Sequence, residues 1–284
     1  MSSSKTPAGK LLILSRRAGS MDDQIEANLR EAYADHLIVE FETNHDFAKL
    51  ITPRAPVIVA GGDGTVEFVI RALADSDHPL GILSLGTFNN FANALGIPTD
   101  LDQAIEVTKT GHARAITLGR VNGHVFVEAC AIGLFGETIA MGDSAKDLSF
   151  GEVARKLKDV IASRPFQYDL SGDFAGSGSA MSLVFSNTGS IGGKLPVSDS
   201  TPMSHYLEFS VHAGRTRSDI VARAVASALQ FKHDDVGSDQ VFRFQQLEVK
   251  TKPRVRVYAD NVYIGRTPAA ITAVVSALRV LLPR

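Results

Sequence analysis

Short apolar runs alternate with longer amphipathic stretches in the first part of the chain. Four runs have the length of a buried strand, and apolar residues three or four positions apart mark helices between them. The strand candidates are residues 11–14, 37–41, 57–60 and 82–85, and the helix candidates are residues 25–32, 66–73 and 101–108. Strands that alternate with helices predict an α/β domain with a parallel sheet and helices on both faces.

The pattern changes near Ile116, where strand-like runs begin to follow one another. Asn122-Gly123 lies between two apolar runs and predicts a hairpin, because both turn positions require positive φ. We expect a half-exposed strand at residues 207–211 and a hairpin loop at the small-residue stretch 172–180. The remaining candidates are strands at 166–170, 182–185, 242–244, 255–258 and 271–275, and helices at 150–160 and 220–228.

These two patterns predict a nucleotide-binding α/β domain at residues 10–117 and a second, mostly antiparallel domain at residues 118–284. Packing of the extreme C-terminus against the first domain is an alternative to this division. No internal repeat is evident.

The sharpest motif is a strand that runs into a glycine cluster and then into a helix, at residues 57–65. Glycine lets the backbone turn sharply and lets a ligand approach closely. The following helix points its free N–H groups and the positive end of its dipole at the cluster, which favours phosphate. The candidate phosphate-binding residues are Gly61, Gly62, Asp63, Gly64 and Thr65. A tight turn without a ligand is the alternative interpretation.

Two other phosphate-binding motifs do not fit. A P-loop ends in Gly-Lys-Ser/Thr, whereas Gly193-Lys194 is followed by Leu195 and Thr188 stands at the first glycine position. The dinucleotide fingerprint needs a third glycine, and Glu67 occupies that place.

A second polar loop follows the fourth strand candidate, at residues 86–98. Ligands of open α/β sheets bind beyond the carboxyl ends of the strands, so this loop and the glycine cluster are expected to share a site. Its candidate nucleotide-binding residues are Gly86, Thr87 and Asn89. Capping of the next helix is an equally good interpretation for Asn89 or Asn90.

Composition narrows the function classes. The 284 residues carry a net charge of −2, which gives no general attraction to nucleic acid, and no basic stripe with interleaved aromatic residues is evident. The single cysteine, Cys130, excludes a disulfide within the chain and a cysteine zinc site. The polar N-terminus lacks a signal-peptide core, and no apolar run has the length of a transmembrane segment.

The motifs together resemble the diacylglycerol kinase catalytic family, which includes bacterial lipid kinases and sphingosine kinases, with NAD kinases as distant relatives. The resemblance lies in the Gly-Gly-Asp-Gly-Thr loop, in residues 86–98, in residues 131–134 and in the tail from Asp260 to Pro283. It implies a C-terminal β-sandwich, ATP bound between the two domains with Mg²⁺ at its phosphates, and transfer of the γ-phosphate to a lipid hydroxyl.

The chain departs from this family at several acidic positions. Asn90 and Val262 stand where members often carry acids, and Ser15 replaces an early asparagine of the first loop. Residues 202–206 replace an Asp-Gly pair that is linked to metal binding in the family. The resemblance therefore leaves Asp260 as the candidate base, and Asp63 as the catalytic candidate near the metal and phosphates, acting on the metal through phosphates or water. A turn role for Asp260 is the alternative.

Basic residues supply further candidates. Arg16 and Arg17 follow the first strand and are placed to meet phosphate, or else are solvated loop residues. A cationic face toward anionic lipid headgroups is one interpretation of a basic helix, and a solvated face is the other. Its residues are Lys146, Arg155, Lys156, Lys158 and Arg164.

We therefore predict a cytoplasmic, ATP- and Mg²⁺-dependent lipid kinase that meets its diacylglycerol-like substrate at the inner membrane surface. The alternatives are a catalytically weak or inactive nucleotide-binding protein on the same fold and an NAD kinase-like enzyme with a soluble acceptor. A homodimer is left open, and no nucleic-acid partner is expected.

Overall fold

A computed structural model describes residues 9–44, 47, 50–136, 164–191, 195–196, 198–212 and 241–284. The helix candidates at 150–160 and 220–228, most of the basic helix and Gly193-Lys194 lie outside these residues. The chain forms two compact units, Met1–Thr117 with Val275–Arg284, and Leu118–Val274.

The first unit has a parallel sheet with helices between its strands. Its elements are β1 (Leu11–Leu14), α1 (Asp23–Ala32), β2 (Leu37–Glu40), β3 (Val57–Gly61), α2 (Asp63–Leu73), β4 (Pro79–Ser84), α3 (Asn90–Ala94) and α4 (Leu101–Thr110). The four strands run parallel in the order β2-β1-β3-β4. At the far edge, Arg279 and Val280 of the last strand of the chain pair in parallel with β4.

Both faces of this sheet are buried. Successive side chains of a strand point to opposite sides, so a strand in which every residue is buried must be covered on both faces. Leu12 and Ile58 pack with Leu29 of α1 and Ala104 of α4. The alternating residues of β1 and β3 are also buried, as is the apolar stripe of α2, whose contacts are with β3 and β4. Helices therefore cover both faces, as the apolar runs predict.

The second unit is built from antiparallel strands. They are the end of β5 (His112–Val121), β6 (His124–Phe126), β7 (Ala129–Gly133), β8 (Phe166–Gly172), β9 (Gly176–Ala180), β10 (Ser182–Ser186), β11 (Ser190–Ile191), β12 (Leu195–Pro196), β13 (Leu207–His212), β14 (Val241–Phe244), β15 (Gln246–Lys252), β16 (Arg256–Ala259), β17 (Val262–Arg266) and the first part of β18 (Ala269–Leu282).

Two sheets enclose the core of this unit. One has the order β14-β13-β10-β7-β16-β17, and β18-β15-β8-β9 belong to the other. Cys130, Phe185 and Phe209 of the first sheet share one apolar cluster with Val249 and Ile271 of the second. The unit is therefore a β-sandwich, and the predicted fold class, a parallel α/β region followed by a separate antiparallel one, is confirmed.

Three local predictions in this unit can be compared with the structure. Asn122 and Gly123 have φ of 48° and 86° and join β5 to β6, so the hairpin is confirmed. The predicted hairpin at residues 172–180 is present, but its loop is shorter than predicted, because residues 176–180 form β9 and pair with β8. The strand at 207–211 is confirmed as β13, but the prediction that it is half exposed is wrong. Glu208 and Ser210 are buried although they point away from the core cluster.

No helix among the described residues is long and apolar enough to cross a membrane.

Candidate functional site

Three loops of the first unit meet at the carboxyl edge of its parallel sheet. They follow β1, β3 and β4, which are neighbours in the sheet. Backbone hydrogen bonds join them: Ser15 N–H donates to Ala60 O at 2.9 Å, Leu85 N–H to Gly61 O at 2.8 Å and Ser20 N–H to Leu85 O at 3.1 Å. The sequence predicted this meeting for the loops after β3 and β4, and the structure brings them together.

Glycines allow these loops to touch backbone to backbone. A Cβ on Gly86 would lie 3.0 Å from the Cα of Gly62 and 2.8 Å from an Asp63 carboxylate oxygen. A Cβ on Gly61 would lie 2.8 Å from the Cβ of Thr65 and 3.3 Å from that of Ser15. Contacts under 3.0 Å are essentially never seen for real Cβ atoms and contacts up to 3.4 Å are rare, so a side chain at 61 or 86 would force its neighbours to shift.

The N-terminus of α2 forms a cluster of backbone N–H groups beside this contact. Gly62 is its N-cap, with φ −79° and ψ 176°, and has no side chain to cap the helix. The N–H groups of Gly62, Asp63 and Gly64 meet no acceptor within the described residues, whereas those of Thr65 and Val66 both donate to Gly62 O at 3.0 Å. We call the first three the open amide cluster.

The open amide cluster is exposed to an approaching anion. Gly64 is exposed, and no heavy atom lies within 4 Å of the place where its Cβ would be. Three adjacent donors at the positive end of an 11-residue helix suit a phosphate group.

The second loop is held in shape by one side chain. Asn89 has φ 52°, and its amide accepts from Gly86 N–H at 3.0 Å and donates to Gly86 O at 3.1 Å. The backbone N–H of the buried Asn90 donates to the Asp63 carboxylate at 3.2 Å. Asn89 thus closes the loop on itself and Asn90 ties it to α2, while Thr87 is exposed. This tie between the two loops was not predictable from sequence spacing.

The two arginines after β1 have different surroundings. Arg16 donates to Glu26 at 2.6 Å, and this hydrogen bond and charge raise the pKa of the guanidinium while lowering that of the Glu26 carboxyl. Arg17 is exposed and has no hydrogen bond or ion pair among the residues that the structure describes. Arg17 is therefore the better placed of the two to meet a ligand phosphate.

Asp260 belongs to a different cluster of backbone N–H groups, in the second unit. It has φ 51° and is only 8% exposed. One carboxylate oxygen accepts from Val127 N–H at 3.1 Å, from Glu128 N–H at 2.8 Å and from Ala129 N–H at 3.2 Å. The other accepts from Val127 N–H at 3.0 Å. We call these three N–H groups the closed amide cluster, because a protein carboxylate fills it.

This arrangement favours a positioning role for Asp260 over a base. Its own N–H donates to Ala129 O at 2.8 Å, so main chain and side chain together fasten the turn after β16 to the start of β7. Burial, and to a lesser degree the negative charge of Asp260, raises the pKa of the Cys130 thiol. The neighbouring Val262, where the family often has an acid, is 48% exposed.

Metal ligands are sparse among the described residues. No group of three or more His, Cys, Asp or Glu side chains in the described ranges is placed to hold an ion. Asp63, at the start of α2, is a carboxylate that the structure places at the meeting of the loops after β3 and β4. A single carboxylate fits the usual mode of Mg²⁺, which binds one or two protein carboxylates together with substrate phosphates.

A strand, an amide-lined glycine turn and a helix form the phosphate-binding arrangement of α/β nucleotide-binding proteins. Residues 13–121, which include all three loops, match the family model of the diacylglycerol kinase catalytic domain. This part of the chain is therefore similar to a diacylglycerol kinase catalytic domain, and the family resemblance of the sequence is confirmed.

Individual proteins are similar to this chain in sequence or in fold. A diacylglycerol kinase of Bacillus subtilis is 27% identical over 236 residues, which are 80% of this chain and 78% of that protein. A diacylglycerol kinase of Staphylococcus saprophyticus is 35% identical over 118 residues, which are 41% of this chain and about a third (34%) of that protein. The crystal structure of a diacylglycerol kinase from Bacillus anthracis has the same fold, with a TM-score of 0.71 at 21% identity over 96% of both chains.

Proposed function

We propose that this protein is an ATP-dependent lipid kinase that transfers the γ-phosphate to the hydroxyl of a diacylglycerol-like lipid. The open amide cluster carries the proposal, because its three donors meet no acceptor in the described part of the chain and lie at the edge where α/β folds bind nucleotides. The match of residues 13–121 to the diacylglycerol kinase catalytic domain supports the reaction class.

The loop residues have different roles in binding ATP. The backbone of Gly62, Asp63 and Gly64 binds phosphate oxygens, while Gly61 and Gly86 keep the two loops close enough to share one ligand. The remaining candidates shape the site or add charge to it; they are Ser15, Arg17, Thr65, Thr87 and Asn89. Phosphoryl transfer depends mainly on such positioning and charge neutralisation.

Asp63 is the residue that would hold Mg²⁺, directly or through water. A bound Mg²⁺ neutralises phosphate charge. Asp63 is already oriented by the N–H of Asn90, so its carboxylate is fixed relative to both loops. Asp63→Ala is therefore expected to weaken ATP binding and to abolish transfer.

A catalytically weak nucleotide-binding protein is the second candidate function. Its support is the closed amide cluster, since the Asp260 carboxylate is buried and already accepts from three backbone donors, an arrangement suited to holding the turn in place. Under this alternative the open amide cluster still binds ATP, and no phosphorylated product forms.

One assay separates these functions. Purified protein is incubated with γ-labelled ATP, Mg²⁺ and separate acceptors: diacylglycerol, sphingosine and NAD. Labelled diacylglycerol supports the lipid kinase, labelled NAD supports a soluble acceptor, and bound ATP without any labelled acceptor supports the weak enzyme. Absence of ATP binding contradicts all three.

Asp260→Asn sharpens the assay. If Asp260 is the base, the variant loses turnover and the pH dependence of kcat while its melting temperature stays close to that of the native protein. If Asp260 positions the turn, stability falls first, and the residual turnover keeps the native pH profile.

The membrane surface is where such an enzyme would meet its acceptor. We propose that the protein is cytoplasmic and associates with the inner membrane surface from the water side. Fractionation of cells that produce the protein, followed by a wash with high salt, tests this placement.

A further inference from the structure

The edge strand β17 exposes two large apolar side chains. Val262 is 48% and Tyr263 is 53% exposed, and both lie at the tip of the hairpin that β16 and β17 form. β17 is the last strand of the six-stranded sheet and pairs with β16 alone among the described strands. Natural edge strands usually carry charges instead of exposed apolar pairs, so this edge calls for a functional explanation.

Four basic residues lie in the same stretch of the chain as these side chains. Residues 252–266 contain four cations, Lys252, Arg254, Arg256 and Arg266, all of them exposed. The one acid in the stretch, Asp260, is buried and bound by backbone N–H groups. Within the described residues, Lys252, Arg254 and Arg266 form no ion pair with a carboxylate. A basic surface thus stands out on a chain with a net charge of −2.

The arginines are held in place by the main chain. Arg254 donates to the carbonyl of Thr267, and Arg266 donates to the carbonyl of Arg254 at 2.9 Å. The hydroxyl of the fully buried Thr267 accepts from Val255 N–H at 3.0 Å. The turn before β16 and the end of β17 are therefore one rigid base, from which both guanidinium groups reach the surface.

Arginine and tyrosine side chains lie on the same side of this hairpin, where Tyr263 is exposed and Tyr258 is buried. Arg256 faces Arg266 across the two strands, and Tyr258 faces Tyr263, with ring centroids 5.7 Å apart. Val257 points into the core, so its neighbours on β16 point outward.

We propose that this basic edge, made of Lys252, Arg254, Tyr263 and Arg266, docks on an anionic phospholipid surface. Tyrosine is enriched at the level of the headgroups, and clustered arginines are attracted by anionic lipids. The inference rests on the proposed lipid kinase function and adds the surface by which the enzyme reaches its substrate.

Sedimentation with vesicles tests the basic edge on the full chain. One set of vesicles contains equal parts of phosphatidylcholine and phosphatidylglycerol, and the other contains phosphatidylcholine alone. We expect the native protein to bind the anionic vesicles, and the double variant Arg254→Gln with Arg266→Gln to bind them about thirtyfold more weakly (about 2 kcal/mol). Tyr263→Ser is expected to weaken binding about threefold.

Matched controls keep charge and surface changes comparable. Arg114→Gln with Arg279→Gln removes two exposed arginines elsewhere, and Val275→Ser removes an exposed apolar side chain from β18. These variants should bind the anionic vesicles like the native protein. Equal binding by the Arg254/Arg266 variant and its control overturns the proposal, as does native protein that binds neutral and anionic vesicles equally.

The failure of this inference is distinguishable from the failure of the proposed function. Calorimetric titration with ATP and turnover of a short-chain diacylglycerol dissolved in water do not depend on vesicles. Both should be unchanged in the Arg254/Arg266 variant. Loss of vesicle binding with intact soluble turnover supports the basic edge, whereas a native protein inactive on every lipid contradicts the kinase.

Discussion

Two clusters of adjacent backbone N–H groups in the described part of the chain differ in whether the protein itself supplies their acceptor. In the closed amide cluster, the N–H groups of residues 127–129 are satisfied by Asp260. In the open amide cluster, those of residues 62–64 meet no acceptor in the described parts of the chain. An N–H cluster filled by its own protein stabilises the fold, whereas one that is left open can bind an anion from outside.

The difference also separates the roles of two aspartates. Asp63 is part of the open amide cluster and uses its carboxylate to orient Asn90. Asp260 is buried, and its carboxylate accepts hydrogen bonds from three backbone N–H groups. Sequence motifs give both residues to catalysis, whereas their surroundings favour a ligand-binding role for the first and a structural role in the β-sandwich for the second.

The largest effect is expected for removal of the carboxylate from the closed amide cluster. Asp260→Ala should lower the free energy of unfolding by about 4 kcal/mol, because three buried N–H groups lose their acceptor. Urea denaturation measures this change. A loss below about 1 kcal/mol, together with loss of turnover, would show that Asp260 serves chemistry instead.

A smaller loss of stability is expected at the contact between the loops of the first unit. Gly86→Ala places a methyl group against Gly62 and the Asp63 carboxylate, which should cost about 1–3 kcal/mol. The same variant should bind ATP more weakly, since the loops are pushed apart. Thermal unfolding and calorimetry check both effects, and a variant with native stability would contradict the observed close approach.

Gly64→Ala separates binding from stability at the open amide cluster. The added methyl group meets no protein atom and replaces a helical glycine, so stability should rise by about 0.5–1 kcal/mol. The same group stands in the path of the phosphates, so the Kd for ATP should rise about tenfold (about 1.4 kcal/mol).

Gly9→Ala is the matched control for that variant, because its Cβ would also meet no protein atom and it lies before β1. It should leave the Kd for ATP unchanged. Equal ATP affinity of the native protein and Gly64→Ala would place the ligand elsewhere.

The smallest effect is expected from the two arginines after β1. Arg17→Gln should raise the Kd for ATP about threefold at low ionic strength and less at high salt, since Arg17 is exposed and its interaction is screened. Arg16→Gln should change the Kd little, because Glu26 already binds Arg16. A reversed order in a titration at two salt concentrations would contradict this assignment.

How far the sequence predicts the molecule depends on how local each feature is. The strands of the parallel sheet are continuous apolar runs between glycine or polar turns, so their positions follow from the local sequence pattern alone. The Asn122-Gly123 hairpin is equally local. Strand β9 escaped prediction because Gly and Ser, which usually mark loops, form an edge strand once β8 offers a partner.

The site shows the same limit. Gly61 and Gly62 were predictable because a glycine cluster between strand and helix has a local meaning. The hydrogen bonds of Asp260 could not be predicted, because its partners lie about 130 residues earlier in the chain and are main-chain groups without a sequence signature. The buried side of β13 was missed for a similar reason, since burial of Glu208 depends on tertiary packing.

Backbone amide chemical shifts measured during an ATP titration test the central claim most directly. We predict that the amide resonances of Gly62, Asp63 and Gly64 move as ATP or inorganic triphosphate is added, because these donors gain an acceptor. The amides of Val127, Glu128 and Ala129 should stay in place, since Asp260 already binds them. Unmoved resonances of the open amide cluster at saturating ATP would contradict the account.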